Sequence, residues 1–460
     1  MDRSYGVLLA LSSLPGKYGI GTMGHAARTF ADKLREAGCK YWQMLPLTQQ
    51  GEDGSPYMSP SAFAGSWNYI DFDLLYEDGL LSGAEREEAQ NASPQGGGVD
   101  YGALKANRLS LLYPVYAHHW GDCRERVQRF RQGHPWAEDY ARVMASREGL
   151  EPEFFLLLQT LFTEQWGQLK RYCNERGLLL FGDMPIYVAP GGVEAQCNPE
   201  LFDRAGRVAG CPPDAFTVTG QFWKNPLYDW AAMKRDGYGW WIRRFAQEFE
   251  RFDLLRIDHF RGFESYWSIP PGAATAATGR WEQGPGVPLF NTLKAWFGNF
   301  PVVAEDLGDL TPSFHAFMEA CGFPGMNVLQ FAFEPGANSS YLPHNTARHR
   351  VVYTGTHDND TTLGWWRTQS ALCRAFADEY LGGGLSEATV ADRLMRTAFE
   401  TVAELAVVPM QDILGLGSEA RMNVPGTERG NWRWRMDENA FDAAHAASLR
   451  RMGQLYGRNN

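Results

Sequence analysis

Three short apolar stretches of this chain each run into a carboxylate. Leu254-Leu255-Arg256-Ile257-Asp258-His259-Phe260 does so at Asp258, Pro301-Val302-Val303-Ala304-Glu305 at Glu305, and Val351-Val352-Tyr353-Thr354-Gly355-Thr356-His357-Asp358 at Asp358. A helical pattern follows each one. Apolar strands alternating with helices specify a parallel sheet, and polar groups at strand C-termini mark where such a sheet keeps its active site. Strand alternation puts Arg256 and Asp258 on one face and Leu255 and Ile257 on the other. An opposite charge within a few ångströms lowers a carboxylate pKa by about one to three units, so Asp258 is expected to be ionised, as a nucleophile must be.

Further apolar strands are expected at 5–11, 40–47, 178–188, 326–331 and 407–413, bringing the count to eight. Eight strands with intervening helices point to an α/β fold, a (β/α)8 barrel, in preference to an open doubly wound sheet. No G-x-G-x-x-G follows the first strand, and neither a Walker-A pattern nor an internal repeat is present. The 460 residues read as one catalytic domain, 1–460, carrying largely helical and irregular insertions. Residues 74–176 are expected to be a helical insertion. The Pro-, Gly- and aromatic-rich stretch 189–230 is expected to be irregular and to cover the cleft, and 261–288 to be an insertion after the fourth strand.

Bulk properties exclude several function classes. A net charge of −11 argues against non-specific binding to nucleic acid or an anionic membrane. No run of about 18 apolar residues and no signal pattern appears, and the 7 cysteines form no C-x-x-C pair, so a reduced, cytoplasmic setting is expected. Aromatic residues make up 13% of the chain, which suits a groove that stacks flat sugar faces. Trp240-Trp241 and Trp365-Trp366 read as core.

Asp258-His259 and His357-Asp358 contain residue types that a metal uses. However, the first strand carries no His-x-His, and Arg256 beside Asp258 repels a cation. No metal and no cofactor are expected, and His259 and His357 fit better as neutral donors to sugar hydroxyls. A non-catalytic glucan-binding protein needs the aromatic groove but not three acids. Retaining glycosyl transfer needs a carboxylate nucleophile and a carboxylic acid/base about 5 Å apart.

With these residues in view, the chain resembles the 4-α-glucanotransferases called amylomaltase or disproportionating enzyme, glycoside hydrolase family 77 of the α-amylase clan. The resemblance runs in order through Ser12-Ser13-Leu14-Pro15-Gly16, Ser55-Pro56-Tyr57, Gly182-Asp183-Met184-Pro185-Ile186 and Arg256-Ile257-Asp258-His259-Phe260-Arg261-Gly262-Phe263-Glu264. It continues through Ala304-Glu305-Asp306-Leu307-Gly308, Gly355-Thr356-His357-Asp358-Asn359-Asp360-Thr361 and Arg421-Met422-Asn423-Val424-Pro425-Gly426-Thr427. It implies Asp258 as nucleophile, Glu305 as acid/base and Asp358 as transition-state stabiliser. Arg256, His357 and Asp183 would contact the glucose at the cleavage point, with Tyr57 and Asn423 nearby, while Asp214, Gln221, Trp223 and His259 complete the substrate contacts.

The implied substrates are maltooligosaccharides, maltodextrin, amylose or glycogen-derived glucans, handled by a monomer or homodimer. An α-1,4-glucan hydrolase of the same clan is the alternative. Glu305 is expected to hold a proton at neutral pH while Asp258 stays ionised beside Arg256. The chain departs from the family pattern at Gly191, Gly192 and Gln196, at Ala215 where an aromatic is common, and at Lys224 where glycine is common.

Overall fold

The computed structural model describes residues 3–458 except 52, 95, 214–217, 309, 337 and 428. Twelve strands are formed among them: β1 Ser4–Leu8, β2 Tyr41–Gln43, β3 Leu179–Met184, β4 Val208–Cys211, β5 Gln221–Pro226, β6 Leu254–Ile257, β7 Ser265–Ile269, β8 Arg280–Gln283, β9 Val302–Ala304, β10 Gly325–Val328, β11 Arg350–Tyr353 and β12 Leu405–Pro409. Eight of them pair side by side in the order β10-β11-β12-β1-β2-β3-β6-β9, every pair parallel. The seam between β9 and β10 is bridged where Ala304 N–H donates to the Pro324 carbonyl at 2.9 Å. This is the (β/α)8 barrel expected from the apolar runs, and each of the eight anticipated strands takes its place in it.

The barrel interior is filled by inward side chains from successive strands, among them Leu8, Tyr41, Phe181, Leu254, Val303 and Val351. Register then decides what happens at the top. Asp183 of β3 stands beside Arg256 of β6, so two opposite charges on adjacent strands face the same way. The tryptophan pairs read as core are buried, Trp240 and Trp241 behind β3 and β6 and Trp365 and Trp366 against the later helices.

Between β2 and β3 the chain forms helices Phe72–Glu77, Gly83–Ala92, Tyr101–Gly133, Trp136–Glu148 and Pro152–Glu175. Local chemistry sets their ends. Asp71, Ser82 and Asp100 each accept a backbone N–H of the first turn, and Ser82 with Glu85 makes a reciprocal capping box. Arg108 pins the longest helix to the barrel: buried beneath it, the guanidinium donates to the carbonyls of Asn68 at 2.7 Å and Ile70 at 2.6 Å.

The stretch 189–230 is not irregular throughout. It contributes β4 and β5, which join β7 and β8 of the segment 261–288 in one antiparallel sheet ordered β5-β4-β7-β8. The sequence conceals this sheet because β4 is only Val-Ala-Gly-Cys and β8 is Arg-Trp-Glu-Gln, with no apolar alternation. The sheet is completed only where β4 of one insertion pairs with β7 of the other, so pairing and not local propensity makes these segments strands.

At the opposite end of the barrel two cations hold the ends of the fold together. Arg458, 1% exposed, donates to the carbonyls of Ser4, Phe399 and Thr401 at 2.9, 2.8 and 3.0 Å. Arg3 donates to the same Phe399 and Thr401 carbonyls. Removing the Arg458 guanidinium takes a donor from the buried Ser4 carbonyl and leaves the Phe399 and Thr401 carbonyls to Arg3 alone, and depriving buried acceptors of donors is costly. R458A should lower the thermal unfolding midpoint by several degrees, corresponding to about 3 kcal/mol, with R458K recovering part of it. An unchanged midpoint in R458A would show that the clamp contributes nothing.

Candidate active site

Arg256 is the centre from which the polar residues at the barrel mouth are built. Its Nη1 donates to both carboxylate oxygens of Asp183 at 2.7 Å, and its Nη2 stands 3.0 Å from Asp258 Oδ1 and 3.1 Å from Glu305 Oε2. Arg256 and Asp183 are 2% and 1% exposed, so water does little for either charge. Burial works against the guanidinium, but Asp183, Glu305 and Asp258 together outweigh it and hold the group charged. Because Asp258 and Glu305 share one nitrogen, their facing oxygens are no more than about 6 Å apart, inside the separation that leaves room for a water-mediated inversion.

A second branch runs from Asp183. Tyr57 donates its hydroxyl to Asp183 Oδ2 at 2.7 Å and meets His357 Nε2 at 2.9 Å, with the two rings stacked at 5.2 Å. His357 Nε2 lies 3.5 Å from Asp358 Oδ1, and Asn423 Nδ2 donates to that oxygen at 2.6 Å. Burial, then the charge on Asp183, push the Tyr57 hydroxyl well above the ordinary phenol range, so it stays a donor.

On the other flank, His259 takes a left-handed backbone, φ 47°, which aims its N–H at Glu305 Oε2. A side chain in that conformation costs about 1–2 kcal/mol, here balanced by the bond to the carboxylate. Trp223 meets the His259 ring edge-on at 4.9 Å, and Gln221 accepts the Trp223 indole N–H at 3.0 Å. Eleven of the twelve residues singled out above therefore fall into one contiguous network; the twelfth, Asp214, lies outside the described residues, as does Ala215.

One expectation is overturned. Asp258 does not sit low beside Arg256: burial pushes its carboxyl well above the ordinary range, Arg256 opposes this, and Glu305, Asp183 and Asp358 add to the rise. The reason is burial first, and then that the single guanidinium opposing it is shared among several carboxylates. The site thus holds a proton more tightly than an ordinary carboxylate cluster.

Sequence reasoning also missed two residues. Trp432 is buried, takes φ 65°, and packs on both Tyr57 and His357 at 5.6 and 5.8 Å. Its neighbourhood carries no periodic pattern that marks a site. Arg421, quoted only as part of a motif, donates to the carbonyls of Asn423 at 2.7 Å and Asp358 at 2.8 Å, fixing both acceptor and donor of the 2.6 Å contact above. Among the described residues no group of three or more His, Cys, Asp or Glu is arranged to hold a metal ion, and no helix is long and apolar enough to cross a membrane.

A parallel barrel whose strand ends present paired carboxylates, a buried arginine and flanking aromatic rings belongs to the class of (β/α)8 carbohydrate-active enzymes. Comparison with known proteins narrows this. A family model described as 4-alpha-glucanotransferase matches residues 9–154 and 145–440. The 4-alpha-glucanotransferase of Thermus thermophilus is 44% identical over 99% of both chains, and the chloroplastic/amyloplastic 4-alpha-glucanotransferase of Solanum tuberosum is 39% identical over 99% of this chain and 86% of its own. The solved structure of an amylomaltase from Streptococcus agalactiae in complex with acarbose superposes with a TM-score of 0.96 at 35% identity, covering 100% of each chain. The chain belongs to the 4-alpha-glucanotransferase family, glycoside hydrolase family 77, and carries that family's enzymatic activity.

His259 gives a pH prediction. Burial lowers its imidazole from 6.5 to about 4, the nearby Glu305 carboxylate opposing, so the ring is neutral throughout the neutral range. Between pH 6.5 and 4 the unfolded chain takes up a proton that the folded site refuses, so the associated stability is present above 6.5 and is lost as pH falls through that window. Imidazole NMR should show His259 titrating near pH 4, and H259Q should flatten the fall in thermal midpoint over the same range. A His259 resonance titrating near 6.5 would contradict this environment.

Proposed function

We propose that the chain moves α-1,4-glucan segments between glucans by a retaining double displacement, with Asp258 as nucleophile, Glu305 as acid/base and Asp358 as stabiliser of the oxocarbenium-like transition state. The observation that carries this reading is the pair of carboxylates on one nitrogen of Arg256, whose facing oxygens are no more than about 6 Å apart, short of the spacing an inverting water needs. In the first step an Asp258 oxygen bonds to the anomeric carbon while the C1–O4 bond breaks and Glu305 gives its proton to the departing O4. In the second, the 4-hydroxyl of an acceptor gives its proton to Glu305 and attacks C1, and the Asp258 carboxylate leaves.

The pair needs one proton, on Glu305, before the first step, and regains it from the acceptor hydroxyl in the second. Asp183, Arg256, Tyr57 and His357 form a wall of fixed donors and acceptors suited to one glucose ring, while Asn423 orients Asp358. Such preorganised groups act on charge as it develops, without reorganising. The substrates are maltooligosaccharides and longer α-1,4-glucans in the cytoplasm, consistent with acarbose in the Streptococcus agalactiae relative. Asp214 enters as a substrate contact from the resemblance alone.

A hydrolase of the same clan would use the same acids. What favours transfer is the acceptor-side lining: neutral His259 and the Trp223 ring offer a sugar face more than they offer water. A preference of about 2.7 kcal/mol suffices for a hundredfold ratio.

Incubation with maltotriose should give glucose and a ladder of longer oligomers at a constant number of reducing ends; rising reducing ends without longer chains would identify a hydrolase instead. D258N should lose at least about four orders of magnitude of this activity. E305Q should lose as much on maltotriose yet still accept an activated α-glucosyl fluoride, whose leaving group needs no proton, and accumulate a glucosyl adduct on Asp258 seen by intact mass. The same adduct in D258N would rule out Asp258 as the nucleophile.

A further inference from the structure

Strand β5 contains an irregularity that pairing does not require. Val208 of β4 pairs with Pro226 and Gly210 with Phe222, so the one residue Ala209 faces the three residues Trp223, Lys224 and Asn225. Bulges of this kind bend a strand and re-aim side chains, and they occur beside active sites. Here the bend turns Trp223 edge-on to His259 and sends Asn225 inward, where its amide donates to the Val188 carbonyl at 2.8 Å. Lys224, between them, is left exposed at the rim with φ 66°, in the left-handed region.

That conformation suits glycine, which has no Cβ to clash with the carbonyl; a lysine holds it under strain. Nothing in the fold accounts for the choice. Among the described residues neither an ion pair nor a hydrogen bond engages the Lys224 ammonium, and its exposure excludes a packing role. The position nevertheless has a direction. His259 donates its backbone N–H to Glu305 and carries Trp223 on its ring, so the rim beside Trp223 lies on the flank of the acid/base, where the leaving glucan departs and the acceptor arrives.

We propose that Lys224 is an acceptor-specificity residue, its ammonium donating hydrogen bonds to hydroxyl oxygens of the glucan that enters over Trp223. This inference rests on the assignment of Glu305 as acid/base. An ammonium offers three donors and no acceptor, and sugar hydroxyl oxygens accept readily, so the match is to a neutral polyhydroxylated chain. The long stem reaches past the indole on which a sugar face lies. The strained backbone is then the cost of carrying a donor at the one point of the bulge that faces the incoming chain.

The test separates acceptor use from donor cleavage. K224G removes the donor and the strain together, K224M removes the donor while keeping most of the stem and the strain, and K224R keeps a donor. With maltoheptaose as donor, the acceptor kcat/KM for maltose should fall about tenfold in both K224G and K224M, and the ratio of transfer to hydrolysis should fall with it. K224R should stay near the parent, and the thermal midpoint of K224G should not fall. The pre-steady-state rate of glucosyl-adduct formation from the α-glucosyl fluoride, which has no leaving glucan to occupy that rim, should hold in all three.

Acceptor kcat/KM within twofold of the parent in K224G and K224M would overturn the inference. So would an equal loss of adduct formation and acceptor use, which would mean that the lysine serves only the shape of the bulge. A failure of the Glu305 assignment is read separately, from the fluoride experiment on E305Q.

Discussion

One buried cation governs the barrel mouth. Arg256 meets carboxylates delivered by the ends of three neighbouring strands: Asp183 from β3, Asp258 just past β6 and Glu305 just past β9. An unpaired guanidinium at this depth would be prohibitive, and so would the carboxylates without it, because each charge removed from water needs a partner and hydrogen bonds. The arrangement therefore ties strand register to electrostatics. A slip of β6 by one residue would turn Arg256 away and leave the Asp183 carboxylate buried alone.

From that centre, order spreads by contact. Asp183 fixes the Tyr57 hydroxyl, Tyr57 stacks on His357, and the stack is backed by Trp432. Arg421 secures the backbone that carries Asp358 and Asn423. On the far side Glu305 holds the His259 N–H, and the His259 ring seats Trp223 of the antiparallel sheet. Two separate insertions are thereby referred to one guanidinium, and the geometry at the reacting centre does not depend on any single loop.

The barrel was legible because its strands are apolar on both faces and end in charge, a pattern strong enough to read at Leu254–Asp258, Val302–Glu305 and Val351–Asp358. The three acids and most of their neighbours followed from strand ends and motif order. The four-stranded sheet did not, because Val208–Cys211 and Arg280–Gln283 carry no apolar alternation and become strands only by pairing, the first between β5 and β7 and the second along β7. Neither did the upward shift of the Asp258 carboxyl, for which pairwise reasoning from Arg256 gave the opposite direction: burial and the competition of other carboxylates for the same cation are properties of the assembled site. Trp432 was invisible for a related reason, since its role comes from a tertiary stack and its backbone conformation, not from any local spacing.

The pairing of β1 with β12 makes the barrel a ring whose first and last members are neighbours, Ser4 beside Leu405. During synthesis β1 emerges almost a whole chain before the strand that covers its outer edge, a wait on the order of tens of seconds at ordinary elongation rates. Through that interval the buried face and unpaired backbone of β1 have only β2 and the growing helices for shelter. Closure is then a late, all-or-none event in the life of each molecule. Until then the chain presents an open sheet edge, the part of a fold most exposed to pairing with other chains.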